Sequence, residues 1–393
     1  MIRQFPEGFL WGTATSAHQI EGDNIHSDWW KAEQEGKVPH KSGRACDSYN
    51  RYEEDFDLAK AMHNNAHRFS LEWARIEPEE GKFTKEEIEH YRKVIRAAKE
   101  RGLEPFVTLH HISNPRWFIE KDGWKSKNAP KYFARYVQFV AEHLGMEATY
   151  WITMNEPDIW NAKGYLSCDT PPFKKWDIFG FFTAQRHMAR AHQLAYEIIH
   201  TMGKAPRVGI AQNQNYLEPA PNLKFANGLL VKFLVARRNF GFLDSIQDFQ
   251  DFMGINYYNH YKIHILRGKY QDGKKQSDFG WEIFPEGIYY LAKQSWDRYG
   301  KPIFILENGI ADADDDQRPD FIREHLVWLH RAIEEGADVR GYFHWSLLDN
   351  FEWAEGFTKR FGLVHVDFET FKRTPRPSAK VYAEICRTNS ITG

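Results

Sequence analysis

Eight short runs rich in β-branched and aromatic residues recur along the chain, separated by longer amphipathic stretches. That alternation predicts parallel strands joined by helices. The runs begin at Phe9, His67, Pro105, Tyr150, Val208, Phe252, Ile303 and Gly341. Eight βα units close a (β/α)8 TIM barrel, so the expected fold class is α/β with one such barrel over residues 1–393. No Pro/Gly/Ser-rich linker or repeat divides the chain, and barrels of this size run as single domains. A hydrophobic content of 42% supplies the core and excludes disorder.

The stretches between the runs carry helix signals. Thr84-Lys-Glu-Glu87 reads as a capping box, followed by Ile88, Tyr91, Ile95 and Ala98 at helical spacing and by Gly102 as a stop. Asn128 with Pro130, the apolar set Phe133, Tyr136, Val137 and Val140, and Gly145 frame a second helix. A third is expected from about Arg318 to Gly336.

Charge removes several classes of partner. With 52 Lys+Arg against 54 Asp+Glu the formal balance is −2, which makes no electrostatic case for nucleic acid or a membrane surface. Cys46, Cys168 and Cys386 are too widely spaced for a disulfide framework or paired zinc ligands, and a reducing, cytoplasmic setting is the simpler expectation. The start has no apolar stretch after Arg3, and no window approaches 18 uncharged apolar residues, so neither a signal peptide nor a membrane span is expected. Aromatic residues make up 16% of the chain; most belong to the core, while Trp in loops can also stack on sugar rings.

Strand ends of a parallel barrel converge on one face, which is where barrel enzymes keep their active sites. Here those ends carry Gln19, Arg68 and Glu72, His110 and His111, Asn155 and Glu156, Asn256 and Tyr258, Glu307 and Asn308. The last run leads through Trp345 to Asp349, Asn350, Glu352 and Trp353. Glu156 and Glu307 each follow an apolar run, where a carboxylate would be costly inside a core, so each is expected where the strand leaves it. Read singly, either glutamate could equally be an ion-paired strand-end acid, and Arg68 could pair with Glu72. His110 and His111 are adjacent on a strand and point to opposite faces, which makes them a poor metal pair.

Taken together, Phe9-Leu-Trp-Gly-Thr-Ala-Thr-Ser-Ala-His-Gln-Ile-Glu-Gly22, Arg68-Phe-Ser, Thr153-Met-Asn-Glu-Pro, Ile305-Leu-Glu-Asn-Gly and Trp345-Ser-Leu-Leu-Asp-Asn-Phe-Glu-Trp-Ala-Glu-Gly356 closely resemble the retaining β-glucosidases of glycoside hydrolase family one. The strings run end to end in the family's order. The resemblance implies hydrolysis of terminal non-reducing β-D-glucosyl residues by double displacement, with β-galactosyl or β-fucosyl residues as alternatives, and no cofactor or metal. It further implies Glu307 as nucleophile, Glu156 as acid/base, and Arg68 and Tyr258 beside the nucleophile. Retention needs the carboxyl groups about 5–5.5 Å apart, and their mutual repulsion would keep Glu156 protonated near neutral pH.

By the same resemblance Gln19, His111, Asn155, Asn256, Glu352 and Trp353 bind sugar hydroxyls, Trp345 lies under the ring, and Phe361 is an aromatic wall or a packing residue. Two departures stand out. Glu355 occupies the position where the family's phosphosugar branch has a serine, and a carboxylate would repel phosphate. The connection around 217–251 is shorter than usual for the family, which predicts a shallower aglycone side and weak discrimination among aglycones.

Overall fold

The computed structural model describes residues 2–202, 204–273 and 275–392. All eight expected strands are present: β1 (Leu10–Ala14), β2 (Ala66–Ser70), β3 (Glu104–Thr108), β4 (Tyr150–Asn155), β5 (Arg207–Pro219), β6 (Met253–His264), β7 (Ile303–Asn308) and β8 (Val339–Trp345). They form one sheet in the order β5-β4-β3-β2-β1-β8-β7-β6, and β5 also pairs with β6. All of these pairings are parallel. The barrel is therefore closed, and no strand of the ring is left with a free edge.

Each strand is followed by one principal helix: α1 (Ser48–Ala61), α2 (Lys85–Glu100), α3 (Ala129–Leu144), α4 (Ile178–Met202), α5 (Lys224–Leu234), α6 (Glu286–Tyr299), α7 (Arg318–Glu334) and α8 (Pro377–Thr388). Helices α2, α3 and α7 bury the apolar stripes read from their sequences, including Ile88, Tyr91 and Ile95, Phe133, Tyr136 and Val137, and Phe321, Ile322 and Leu326. The capping box does not form. Thr84 is the N-cap of α2 but its side chain makes no cap bond; the Glu87 carboxylate accepts from the Tyr49 hydroxyl at 3.1 Å, and the Thr84 amide donates to the Ile76 carbonyl at 2.9 Å.

Two apolar layers result. One lies between strands and helices; the other fills the barrel with Phe106, Phe252, Phe304, Leu306 and Phe343. Glycine makes room for these rings: a Cβ on Gly12 of β1 would lie 2.5 Å from the Phe343 ring.

Unit five departs from the pattern. Strands β5 and β6 run on together past the barrel as far as Pro219 opposite Ile263. Helix α5 packs against this extension through Val231, with Leu217 and Ile263. A short helix, Gly241–Ser245, follows, and its Phe242 and Leu243 join the main core. No helix of the described residues is long and apolar enough to cross a membrane.

Candidate active site

The ladder is irregular where the strands reach the rim. Register shifts fall between Ile152 and Asn155 on β4, between Ile255 and Asn256 on β6, and between Tyr342 and His344 on β8. Such shifts bend a strand and re-aim its side chains, and they collect beside active sites. Glu156 then turns the chain abruptly. It adopts φ 48° and ψ 51°, and Pro157 starts a helix at the next residue. For a side-chain-bearing residue this left-handed conformation costs on the order of 1 kcal/mol or more, a strain found where function requires it.

Arg68 of β2 is fully buried at the centre. Its guanidinium donates to Glu307 Oε1 at 2.5 Å, to Asn155 Oδ1 at 2.7 Å and to Thr108 Oγ1 at 3.2 Å, tying β2 to β3, β4 and β7. Among the described residues its ion pair is with Glu307, not with Glu72. The Glu72 carboxylate instead accepts from the Ser113 hydroxyl and the Ala74 amide. On the other side of Glu307 the Tyr258 hydroxyl donates to Oε2 at 2.8 Å. Burial pushes Glu307 up to about 7, with the Arg68 charge pulling it down, Glu156 pushing it up, and the Tyr258 and Arg68 hydrogen bonds pulling it down.

Glu156 is held differently. Asn213 and Asn256 each donate an amide hydrogen to its Oε1 at 3.0 Å. The second Asn256 bond, 3.1 Å to Asn155 Oδ1, links this pair to Arg68 and so to Glu307. Two carboxyl groups from β4 and β7 thus meet in one buried network, one against a cation and a phenol, the other against two neutral amides.

The remaining rim residues surround this pair. Asn155 donates to His111 Nε2 at 3.2 Å, and burial, with the Arg68 charge, holds His111 well below the usual imidazole range. Its ring is stacked near Trp345, with centroids 6.0 Å apart. His110, which like His111 lies past the end of β3 at Thr108, turns into an aromatic cluster and hydrogen-bonds Asn114. Gln19 donates to Asn350, Phe351 and Glu352, at 3.0, 3.0 and 3.2 Å, and so fixes the loop that carries Glu352. Desolvation pushes Glu352 up to about 8; Lys163 opposes the shift, and Glu307 and Glu156 add to it. Trp353 packs between His18, Trp29 and Trp160. Phe361 packs edge-on to Tyr258 with centroids 6.2 Å apart.

Three contributors were not singled out from the sequence. Asn213 lies midway along β5, and the polar string Gln212-Asn-Gln-Asn215 was the signal for it. Trp281 approaches both Tyr258 and Phe361, at 5.9 and 6.5 Å, from a loop whose aromatic content was visible but whose position was not. Lys163 follows Glu156 by two turns of helix, and its amine lies 4.5 Å from the Trp160 ring. Among the described residues, no group of three His, Cys, Asp or Glu side chains is placed to hold a metal ion.

Comparison with known proteins points one way. The model of Glycosyl hydrolase family 1 matches residues 1–227 and 242–391. Beta-glucosidase A of Thermotoga maritima is 33% identical, with 99% of each chain covered. A beta-galactosidase of Sulfolobus acidocaldarius is 31% identical, covering 98% of this chain and 96% of the other. Among solved structures, a beta-glycosidase from Pyrococcus horikoshii superposes with a TM-score of 0.94 at 40% identity, over 100% of this chain and 97% of that one. The Thermotoga maritima beta-glucosidase in complex with glucoimidazole also gives 0.94, at 33% identity, over 98% and 99%.

Proposed function

Because the chain belongs to glycosyl hydrolase family 1 and is a retaining β-glycosidase working by double displacement, we propose that Glu307 is its nucleophile and Glu156 its acid/base. The observation that carries this assignment is the contrast between their partners. Arg68 and Tyr258 both donate to Glu307, which favours the charged form a nucleophile needs. Both amides on Glu156 converge on Oε1, so Oε2 is the oxygen that carries the transferable proton.

In the first step a Glu307 oxygen bonds to the anomeric carbon. The bond from that carbon to the aglycone oxygen breaks, and the Oε2 proton of Glu156 passes to the leaving oxygen, which leaves Glu156 as a carboxylate. Glu307, now an ester, no longer opposes that charge. In the second step it takes a proton from water, whose oxygen attacks the same carbon and releases Glu307. Two inversions restore the β configuration.

The sugar pocket is assigned to Gln19, His111, Asn155, Trp345, Glu352, Trp353 and Phe361, with Asn256 moved from hydroxyl binding to holding Glu156. Asn155 faces the 2-hydroxyl, where contacts strengthen in the oxocarbenium-like transition state. Plain β-glucosides are the proposed substrates and β-galactosides the secondary ones, since relatives bear both names. A relative from Leptotrichia buccalis is a 6-phospho-beta-galactosidase, but Glu355 opposes a phosphate here. We read residues 1–393 as one catalytic domain, shortened around 217–251, and place it in the cytoplasm on the strength of its three free cysteines.

The test is chemical rescue on an aryl β-glucoside. Azide should restore Glu156→Ala with a β-glycosyl azide as product and Glu307→Ala with the α anomer. A retained product from Glu307→Ala together with no rescue of Glu156→Ala would reverse the two roles.

A further inference from the structure

Of the fourteen large hydrophobic side chains exposed among the described residues, six lie on α5 and the adjoining hairpin: Leu223, Phe225, Leu229, Phe233, Ile265 and Leu266. Phe225, Leu229 and Phe233 are 82%, 55% and 60% exposed and follow one another at intervals of four, so they form one stripe on the outer face of α5. The opposite face of the helix is committed to the fold through Asn227 and Val231. The hairpin after β6 lies against the committed face of the helix, where the Ile265 amide donates to Asn227 Oδ1 at 2.9 Å, and its tip exposes Ile265 and Leu266 beside α5.

The charge around this stripe is one-sided. From Pro219 to Leu243 the chain has Lys224, Lys232, Arg237 and Arg238 and no acidic residue, in a protein whose overall balance is −2. The hairpin adds Arg267 and Lys269, again without an acid between Ile263 and Gln271. The family match is interrupted at residues 228–241, which include most of α5. It also stands at the catalytic end of the barrel, on the extension of the strands that carry Asn213, Asn256 and Tyr258. Another exposed apolar run, Trp176, Ile178, Phe179 and Phe182, accompanied by Lys174 and Lys175, leaves β4 at that same end.

From these features we infer that the outer face of α5 with the hairpin tip docks on an anionic lipid surface, turning the mouth of the barrel toward it. A helix with Phe and Leu on one stripe and Lys and Arg at its flanks lies in the plane of a bilayer interface, apolar groups among the acyl chains and cations at the headgroups. Two copies of the chain meeting by this face would set its uncompensated cations against each other, which disfavours self-association as its purpose. A chain-wide charge near zero conceals such local clustering. The inference is independent of the roles given to Glu156 and Glu307.

The experiment is co-sedimentation of the full chain with phosphatidylcholine vesicles, with and without phosphatidylglycerol, beside light scattering of the protein alone. Binding should rise at least about tenfold with phosphatidylglycerol and fall at high salt. Phe225→Ser/Leu229→Ser/Phe233→Ser should abolish it, and Lys224→Glu/Lys232→Glu/Arg267→Glu should remove the preference for the anionic lipid. Both variants should hydrolyse a soluble aryl β-glucoside as the parent does, which separates loss of docking from loss of fold. The inference is overturned if the parent stays in the supernatant, binds neutral and anionic vesicles alike, or binds as its variants do. A dimer dispersed by the triple variant would overturn it in favour of a second copy.

Discussion

Arg68 and Glu307 stand 239 positions apart in the chain and meet at 2.5 Å, both buried. A buried carboxyl this close to a cation is under opposing pressures, and the balance here leaves Glu307 at about 7. Removing either donor therefore moves it upward. Tyr258→Phe should shift the acid limb of the kcat/KM profile to higher pH and lower kcat/KM at neutral pH by roughly 10- to 100-fold, the worth of a hydrogen bond to a charged group. A pH–rate profile on a soluble aryl glucoside checks both; an unmoved acid limb would separate Tyr258 from the nucleophile.

The amide pair on Glu156 predicts a different signature. Asn213→Ala should slow glycosylation by about tenfold or more on alkyl glucosides, whose leaving oxygen needs a proton, and much less on dinitrophenyl glucosides, which need none. A plot of rate against leaving-group pKa should steepen. Equal losses on both substrate kinds would mean that Asn213 acts on sugar binding instead.

Stability should depend on pH through the buried acids. Glu352 is raised to about 8, and Glu307, Glu21, Asp28 and Asp158 to about 7. Each holds a proton in the fold that the unfolded chain has released, so its contribution is lost as pH rises through the folded value. The buried His67 and His325, lowered to about 3, and His110 and His192, lowered to about 4, act oppositely below the ordinary 6.5. Tm should therefore fall between pH 6.5 and 8.5, and Glu352→Gln should raise Tm at pH 8.5 while costing activity. Calorimetry across that range is the check, and a Tm that climbs with pH would contradict it.

Barrel packing gives a mutation remote from the chemistry. In Gly12→Ala the new methyl would meet the Phe343 ring at 2.5 Å and the Ala66 carbonyl at 2.9 Å. Overpacking of this kind costs about 1–3 kcal/mol, roughly 1 °C in Tm for each kcal/mol in a chain of this length. Denaturant unfolding of the variant measures it.

The shortening we propose around 217–251 predicts flat aglycone selectivity. A panel of β-glucosides differing only in the leaving portion should vary in KM by no more than about tenfold, and sharp discrimination would show that Trp281 and its neighbours enclose the aglycone after all.

Much of this was legible in the chain. The eight runs became the eight strands, helices began just after Thr84 and Asn128 and at Arg318 as their sequences indicated, and the strand-end polar residues gathered at one rim. These are local properties: alternation of apolar runs with amphipathic stretches, and the cost of burying a carboxylate, are written residue by residue. What tertiary structure alone decided is pairing. Glu87 takes Tyr49 rather than Thr84, Arg68 takes Glu307 rather than Glu72, and Asn256 reaches Glu156. Each choice is a competition among hydrogen-bonding groups distant in sequence, settled by which ones strand register brings within 3 Å or so. The cationic, apolar face of α5 was hidden for the same reason, since a net charge sums over a surface that only the fold divides into faces.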